Sequence, residues 1–149
     1  MNSVGSGFLV LGAVLSGLAA LAHIGIIIGG PAWYRFFGAG DNMARLASEG
    51  SWHPALVTAA IALVLSILSA YALSGAGLLP GLPFLSLVLI AVTTIYLLRG
   101  IVGFFFAFFA TGGNSPTFWV VSSTICLFFG VVHAIGIVKS WAILSGAGS

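Results

Sequence analysis

The chain has 149 residues, of which 60% are hydrophobic and 4% are charged, and its mean hydropathy is +1.25. Its formally charged side chains are four bases and two acids: Arg35, Arg45, Arg99, Lys139, Asp41 and Glu49. Because soluble domains carry about a quarter charged residues and disordered chains are poor in apolar ones, both classes are excluded. Nucleic-acid binding is excluded because scattered arginines cannot neutralise a run of phosphates. The composition predicts an integral membrane protein.

Four apolar segments are each long enough to cross a bilayer core, which takes roughly 20 apolar helical residues. They span about residues 8–28, 54–73, 84–110 and 116–141. Pro54 and Pro116 stand where proline favours the first turn of a helix, and Ser115 is placed to cap the fourth segment. The sequence therefore predicts an all-α, polytopic membrane protein, an antiparallel four-transmembrane-helix bundle that forms one domain over residues 1–149.

The first segment is expected to be a retained membrane helix rather than a cleaved signal peptide. Residues 20–22 have the small-x-small form of a cleavage site, but no Lys or Arg precedes the apolar stretch. Four crossings then place both termini on one side of the membrane.

The connection over about residues 30–53 holds most of the charge and is predicted to be an amphipathic loop along the membrane surface. Asp41 is placed to cap a short helix over 42–49 that Gly50 ends, and Asp41 and Arg45 have ion-pair spacing. The apolar side of this loop favours the interface and consists of Trp33, Tyr34, Phe36, Phe37, Met43 and Leu46. We call the side with this loop the loop face and the opposite side the termini face.

The orientation of the chain follows from its few basic residues. Arg35 and Arg45 belong to the loop face and Lys139 to the termini face, so the positive-inside rule predicts a cytoplasmic loop with external termini. The layout is similar to that of small bacterial four-helix inner-membrane proteins, which implies the bacterial inner membrane.

Arg99 lies inside the third apolar segment, which is too long for a single untilted crossing. In one interpretation its side chain extends to lipid phosphates at the membrane surface. In the other it faces the bundle, where it needs a carboxylate or backbone carbonyls. Asp41 and Glu49 are the available acids, and both belong to the loop face.

Two histidines lie on stripes of small, weakly polar residues, which are typical of helix–helix contacts in membranes. His23 shares its stripe with Gly12, Ser16 and Ala19, and His133 shares one with Ser122, Cys126, Gly130 and Ser140. Each histidine is therefore expected to form a hydrogen bond to a neighbouring helix. At 1.5 Å per residue their depths differ by about 13 Å, and no metal-ligand spacing occurs. No metal or other cofactor is predicted.

Further contact positions lie on the second and third segments. Thr93 and Gly100 are seven residues apart and predict the inward face of the third. The second carries a small-residue stripe that favours close packing, within the bundle or between protomers, made of Ala55, Ala59, Ala62, Ser66 and Ser69.

One set of polar residues can approach the loop face together and is the predicted ligand-binding site: Arg99, His23, His53, Glu49 and Asp41. Such a combination of acid, histidine and arginine could bind an anionic headgroup, relay protons or provide acid–base chemistry. No particular catalytic residue is predicted.

Three functions are compatible with these features. The favoured one is an accessory or oligomer-forming membrane subunit without catalysis, because no phosphate loop, nucleophile elbow or dinucleotide motif occurs. The first alternative is a binder or carrier of a lipid or other apolar molecule with a polar site at the loop face. The second is a lipid-modifying enzyme that uses His23, His53 and an acid. The expected partners are the lipid bilayer and a homo-oligomer or larger membrane complex.

Overall fold

The computed structural model describes residues 3–109 and 114–145, and this part of the chain contains five helices and no strand. The helices are α1 (Ser3–Phe36), α2 (Asp41–Ser48), α3 (His53–Gly75), α4 (Leu85–Phe109) and α5 (Pro116–Leu144). Four of them, α1, α3, α4 and α5, are long and apolar enough to cross a membrane. The predicted all-helical, multi-span class is thus confirmed. Ala110, the predicted end of the third segment, lies outside the described residues.

The first segment does not end at Gly29-Gly30-Pro31, as the sequence predicts, but bends there. Gly30 has φ 63° and ψ −149°, a combination that is essentially confined to glycine. Pro31 then begins new helical turns that continue to Phe36, because its fixed φ suits the first position of a helix. The predicted boundary is therefore a kink, and the first part of the predicted loop is helical.

The short helix of the loop begins one residue earlier than predicted, and Asp41 is not its cap. The N-cap is Gly40, with φ 93°, and no side chain caps α2. Arg45 donates to Glu49 Oε1 at 2.8 Å and to Asn42 Oδ1 at 3.0 Å, so the predicted pairing with Asp41 is wrong. The Asp41 carboxylate stands instead in the first turn of α2, where the helix dipole favours an anion.

The long helices pack as two close pairs, α1 with α3 and α4 with α5, and a contact between α1 and α5 joins the pairs. Glycines provide the close approach of α4 to α5: Gly100 packs against Leu127, and Gly103 packs against Ser123. As the residue numbers of the contact positions increase along α4, those of their partners on α5 decrease. Small residues thus decide how near the two backbones come, as is common in membranes.

Three apolar clusters hold the helices together. One joins all four long helices through Leu9, Ala13, Ala72, Ala76, Leu89 and Ile137. A second contains Val92, Tyr96 and Phe129, and a third, with Ile26, Tyr34 and Ala44, attaches α2 to α1. The Tyr34 hydroxyl also lies 3.2 Å from Thr58 Oγ1, so the kinked end of α1 is tied to α3.

The predicted contact positions divide between the interior and the outer surface. Thr93 and Gly100 are buried, which confirms the predicted inward face of α4. On α3, Ala62 is buried and Ser69 Oγ donates to the Ala13 carbonyl at 2.8 Å. Of the other stripe positions on α3, Ala59 and Ser66 are exposed and Ala55 is partly exposed.

Candidate functional site

Among the residues that the structure describes, no hydrogen bond or ion pair joins any two of the five predicted ligand-binding residues. Asp41, Glu49 and His53 are exposed, and Glu49 is paired with Arg45. His23 is half-buried, with Nδ1 2.7 Å from the Ala19 carbonyl oxygen. Arg99 contacts α5. A joint role for these five residues therefore stays a prediction.

Asp41 belongs to a shallow depression at the loop face. Its volume is about 160 Å³, and it is lined by Arg35, Gly38, Gly40, Asp41, Asn114 and Ser115. Gly38 also packs against Phe118. The first turn of α5 thus lies beside the connection between α1 and α2, on the loop face.

The predicted hydrogen bonds from the histidines to neighbouring helices are wrong. His133 Nδ1 lies 2.8 Å from the Phe129 carbonyl oxygen, and His23 Nδ1 has the equivalent partner, Ala19. A carbonyl only accepts, so each Nδ1 carries the proton and donates to the residue four positions earlier. The nearest acceptor of the same helix is within reach, and an apolar environment supplies no competing water.

His133 is part of a polar layer inside the bundle. Its side chain is fully buried and packs against Gly12 of α1. The ring lies 5.5 Å from that of Tyr96, whose hydroxyl is 3.0 Å from Ser16 Oγ. These contacts join α1, α4 and α5 at one level, so the predicted stripes on the first and fourth segments do face the interior.

The Arg99 side chain has features of both predicted arrangements: it extends toward the membrane surface, and it also faces a neighbouring helix. The side chain extends toward the loop-face end of α4, because the guanidinium packs at Gly103, one turn further along the helix. It also faces α5: Nη2 donates to Ser122 Oγ at 3.2 Å, and Cζ lies 4.8 Å from the centroid of the Trp119 ring. The side chain thus rises toward the membrane surface while it remains between two helices.

Three buried polar atoms around Arg99 have no hydrogen-bond partner in the part of the chain that the structure describes. They are Arg99 Nη1, Trp119 Nε1 and Ser123 Oγ. A Cβ atom at Gly103 would collide with both Arg99 Nη1 and Ser123 Oγ, so these two atoms border the same point. Together with Ser122, the three residues form what we call the α4–α5 polar cluster.

The sequence marks Arg99 as a candidate but not the residues that surround it. Ser122 belongs to a predicted stripe, whereas Ser123 and Trp119 carry no predicted role beside Arg99. The available signal is the pair Gly100 and Gly103, which brings α4 close enough to α5 for an arginine between them to meet the second turn of α5.

The comparisons with known proteins supply no function for this arrangement. The chain matches no protein-family model, no curated protein and no solved structure. Within residues 3–109 and 114–145, no group of three His, Cys, Asp or Glu side chains could hold a metal ion. The function has to be inferred from the chain's own surfaces and contacts.

Proposed function

We propose that the protein is a non-catalytic, oligomer-forming membrane subunit, an antiparallel four-helix bundle whose copies associate through the outer face of α3. One observation carries this proposal: small side chains are directed outward along α3. Ala59 and Ser66 are exposed, and Ala55 and Ala70 are partly exposed. At 100° per residue these four positions share a strip about 60° wide.

The packing of the bundle leaves this strip free to meet another helix. Within the described chain α3 packs mainly on α1, with smaller contacts to α4 and α2. Small residues at a membrane helix surface let a second backbone come close, and van der Waals packing then drives association. Ser66 Oγ already donates to the Ala62 carbonyl at 2.9 Å, so a partner helix can cover this hydroxyl without leaving it unpaired.

The occupant that fits this strip is a second copy of the same chain. A single strip along one helix can contact its own equivalent across a two-fold axis, the commonest symmetry of protein oligomers. No Asp, Glu, Lys or Arg occurs in His53–Gly75, so two α3 helices meet without charge repulsion.

We further propose that the protein lies in the bacterial inner membrane with its loop face in the cytoplasm. Arg35 and Arg45 are exposed at the loop face, and basic residues in short connections favour the cytoplasmic side.

Cysteine crosslinking in native membranes tests the association. In a Cys126→Ser background, we expect Ala59→Cys, and separately Ser66→Cys, to form disulfide-linked dimers on mild oxidation, because equivalent positions meet across the axis. Val64→Cys is the matched control: it lies on the same helix and is 54% exposed, but it stands about 140° away from Ala59 at 100° per residue.

The crosslinking yields decide the proposal. Dimers at positions 59 and 66 with little at position 64 support association through the strip. Equal yields at all three positions, or no dimer at any of them, would show that this face meets lipid only.

A further inference from the structure

We propose that the α4–α5 polar cluster binds the phosphate group of an anionic membrane lipid at the loop face. The unpartnered groups indicate what kind of ligand is needed. Arginine N–H and indole N–H groups only donate hydrogen bonds, and a serine hydroxyl can donate one. The unpartnered atoms of Arg99, Trp119 and Ser123 therefore call for a hydrogen-bond acceptor.

The charge of the cluster requires that this acceptor be an anion. The contacts of the Arg99 guanidinium with Ser122 and Trp119 are to neutral side chains, and the Glu49 carboxylate is occupied by Arg45. A cation between membrane helices is costly unless a negative group compensates it. A phosphate supplies both the charge and several acceptor oxygens, and arginine can hold two of these at once.

The position of the cluster favours an anion further. Ser115 caps α5 by accepting from the Phe118 N–H at 3.1 Å, and Trp119, Ser122 and Ser123 occupy the first two turns that follow. The amino-terminal end of a helix attracts anions through its dipole, and this effect is confined to the first turn, where Trp119 lies. At 1.5 Å per residue, Ser123 lies about 10 Å from the start of α5, so the phosphate sinks to the second turn of α5 to meet it.

Apolar side chains beside the cluster indicate that the phosphate belongs to an amphiphile. The Phe106 ring of α4 packs on the Trp119 ring with centroids 4.9 Å apart, and Val120 follows Trp119 on α5 with 44% of its surface exposed. These side chains provide an apolar surface next to the hydrogen-bond donors. The acyl chains of a phospholipid can pack on this surface, whereas a free anion has no apolar part to do so.

A side-chain movement is needed to admit the ligand, because the three unpartnered atoms have almost no accessible surface. The Trp119 ring covers the guanidinium. Tilting the indole off the guanidinium, with Nε1 still directed into the cluster, replaces one cation–π contact by charged hydrogen bonds to phosphate, which are the stronger interaction.

Native mass spectrometry of the full chain in mild detergent tests this site. Dioleoylphosphatidylglycerol and dioleoylphosphatidylcholine are titrated separately, and we expect the anionic lipid to bind more tightly. Arg99→Met should weaken phosphatidylglycerol binding about tenfold, the equivalent of one charged hydrogen bond. Arg35→Met is the matched control, since it removes an exposed basic group from the loop face, and it should change the binding less than about twofold.

Further variants and a competitor make each result decisive. Ser123→Ala and Arg99→Lys should each weaken binding several-fold, and they carry the test if Arg99→Met does not fold. An excess of inorganic phosphate should leave the lipid bound; displacement would show a site for the free anion. The proposal is overturned if the two lipids bind equally, if Arg35→Met weakens binding as much as Arg99→Met, or if both Ser123→Ala and Arg99→Lys bind like wild type. The site is separate from α3, so either proposal can fail alone.

Discussion

At Gly12 the lack of a side chain decides how closely α1 approaches α5. The His133 ring fills the space beside its Cα atom, and this histidine is fully buried. The sequence places both residues on stripes of small and weakly polar positions, but only the folded chain shows that the glycine of one stripe receives the ring of the other.

Gly12→Ala is therefore expected to destabilise the fold. The added Cβ would lie 2.7 Å from His133 Cε1, and forcing an extra methyl group into a packed interior costs about 1–3 kcal/mol. The free energy of unfolding can be measured by titrating detergent-solubilised protein with a denaturing detergent. Gly7→Ala is the control on the same helix, because its Cβ meets no atom within 4 Å. Equal changes in the free energy of unfolding for the two substitutions would contradict the close packing of Gly12 on His133.

Among the elements, α1 departs most from its prediction. Its sequence signals an end at Gly29-Gly30-Pro31, yet the chain resumes a helix and places Tyr34 against α2 and Thr58. Local propensity fixes where the backbone bends. The contacts made beyond the bend determine that the next residues are helical rather than irregular.

Gly30→Ala tests whether this kink depends on glycine. Neither Gly30 nor Gly81 has an atom within 4 Å of its Cβ position, but only Gly30 has a positive φ. We expect Gly30→Ala to lower the free energy of unfolding by about 1–3 kcal/mol through backbone strain. Gly81→Ala, the matched control, should change it by less than about 0.5 kcal/mol. A similar small change for both would mean that the kink tolerates a side chain.

Over the whole molecule, charge is concentrated at the loop face. Arg35, Asp41, Arg45 and Glu49 are exposed there, and the Arg99 side chain extends in the same direction. The two basic residues of the loop, Arg35 and Arg45, support the proposed cytoplasmic position of the loop face.

Thiol labelling of intact cells tests the orientation. In a Cys126→Ser background, Ser48→Cys marks the loop face and Leu78→Cys marks the connection between α3 and α4 on the termini face; both native side chains are exposed. With a membrane-impermeant reagent we expect position 78 to react in intact cells and position 48 to react only after the membrane is opened. The reverse pattern would place the loop face outside.

The sequence by itself determines the helical class and the four long apolar helices, because apolar length and proline placement act locally and need no partner. It also predicts correctly that Thr93, Gly100 and the two histidine stripes face inward, since these follow from helical periodicity. The structure contains these features with boundaries shifted by at most three residues in α3, α4 and α5, whereas α1 extends well beyond its predicted end, to Phe36.

Only the tertiary structure decides which groups meet. The rotation of α4 against α5 brings Arg99 to Ser122 and Trp119, whereas the sequence offered the acids of the loop as its partners. Both histidines form hydrogen bonds within their own helices, because the carbonyl four residues earlier is closer than any acceptor of a neighbouring helix. Which side chains pair depends on how far apart two helices lie and how they are rotated. Small residues that are distant in the sequence determine both quantities together.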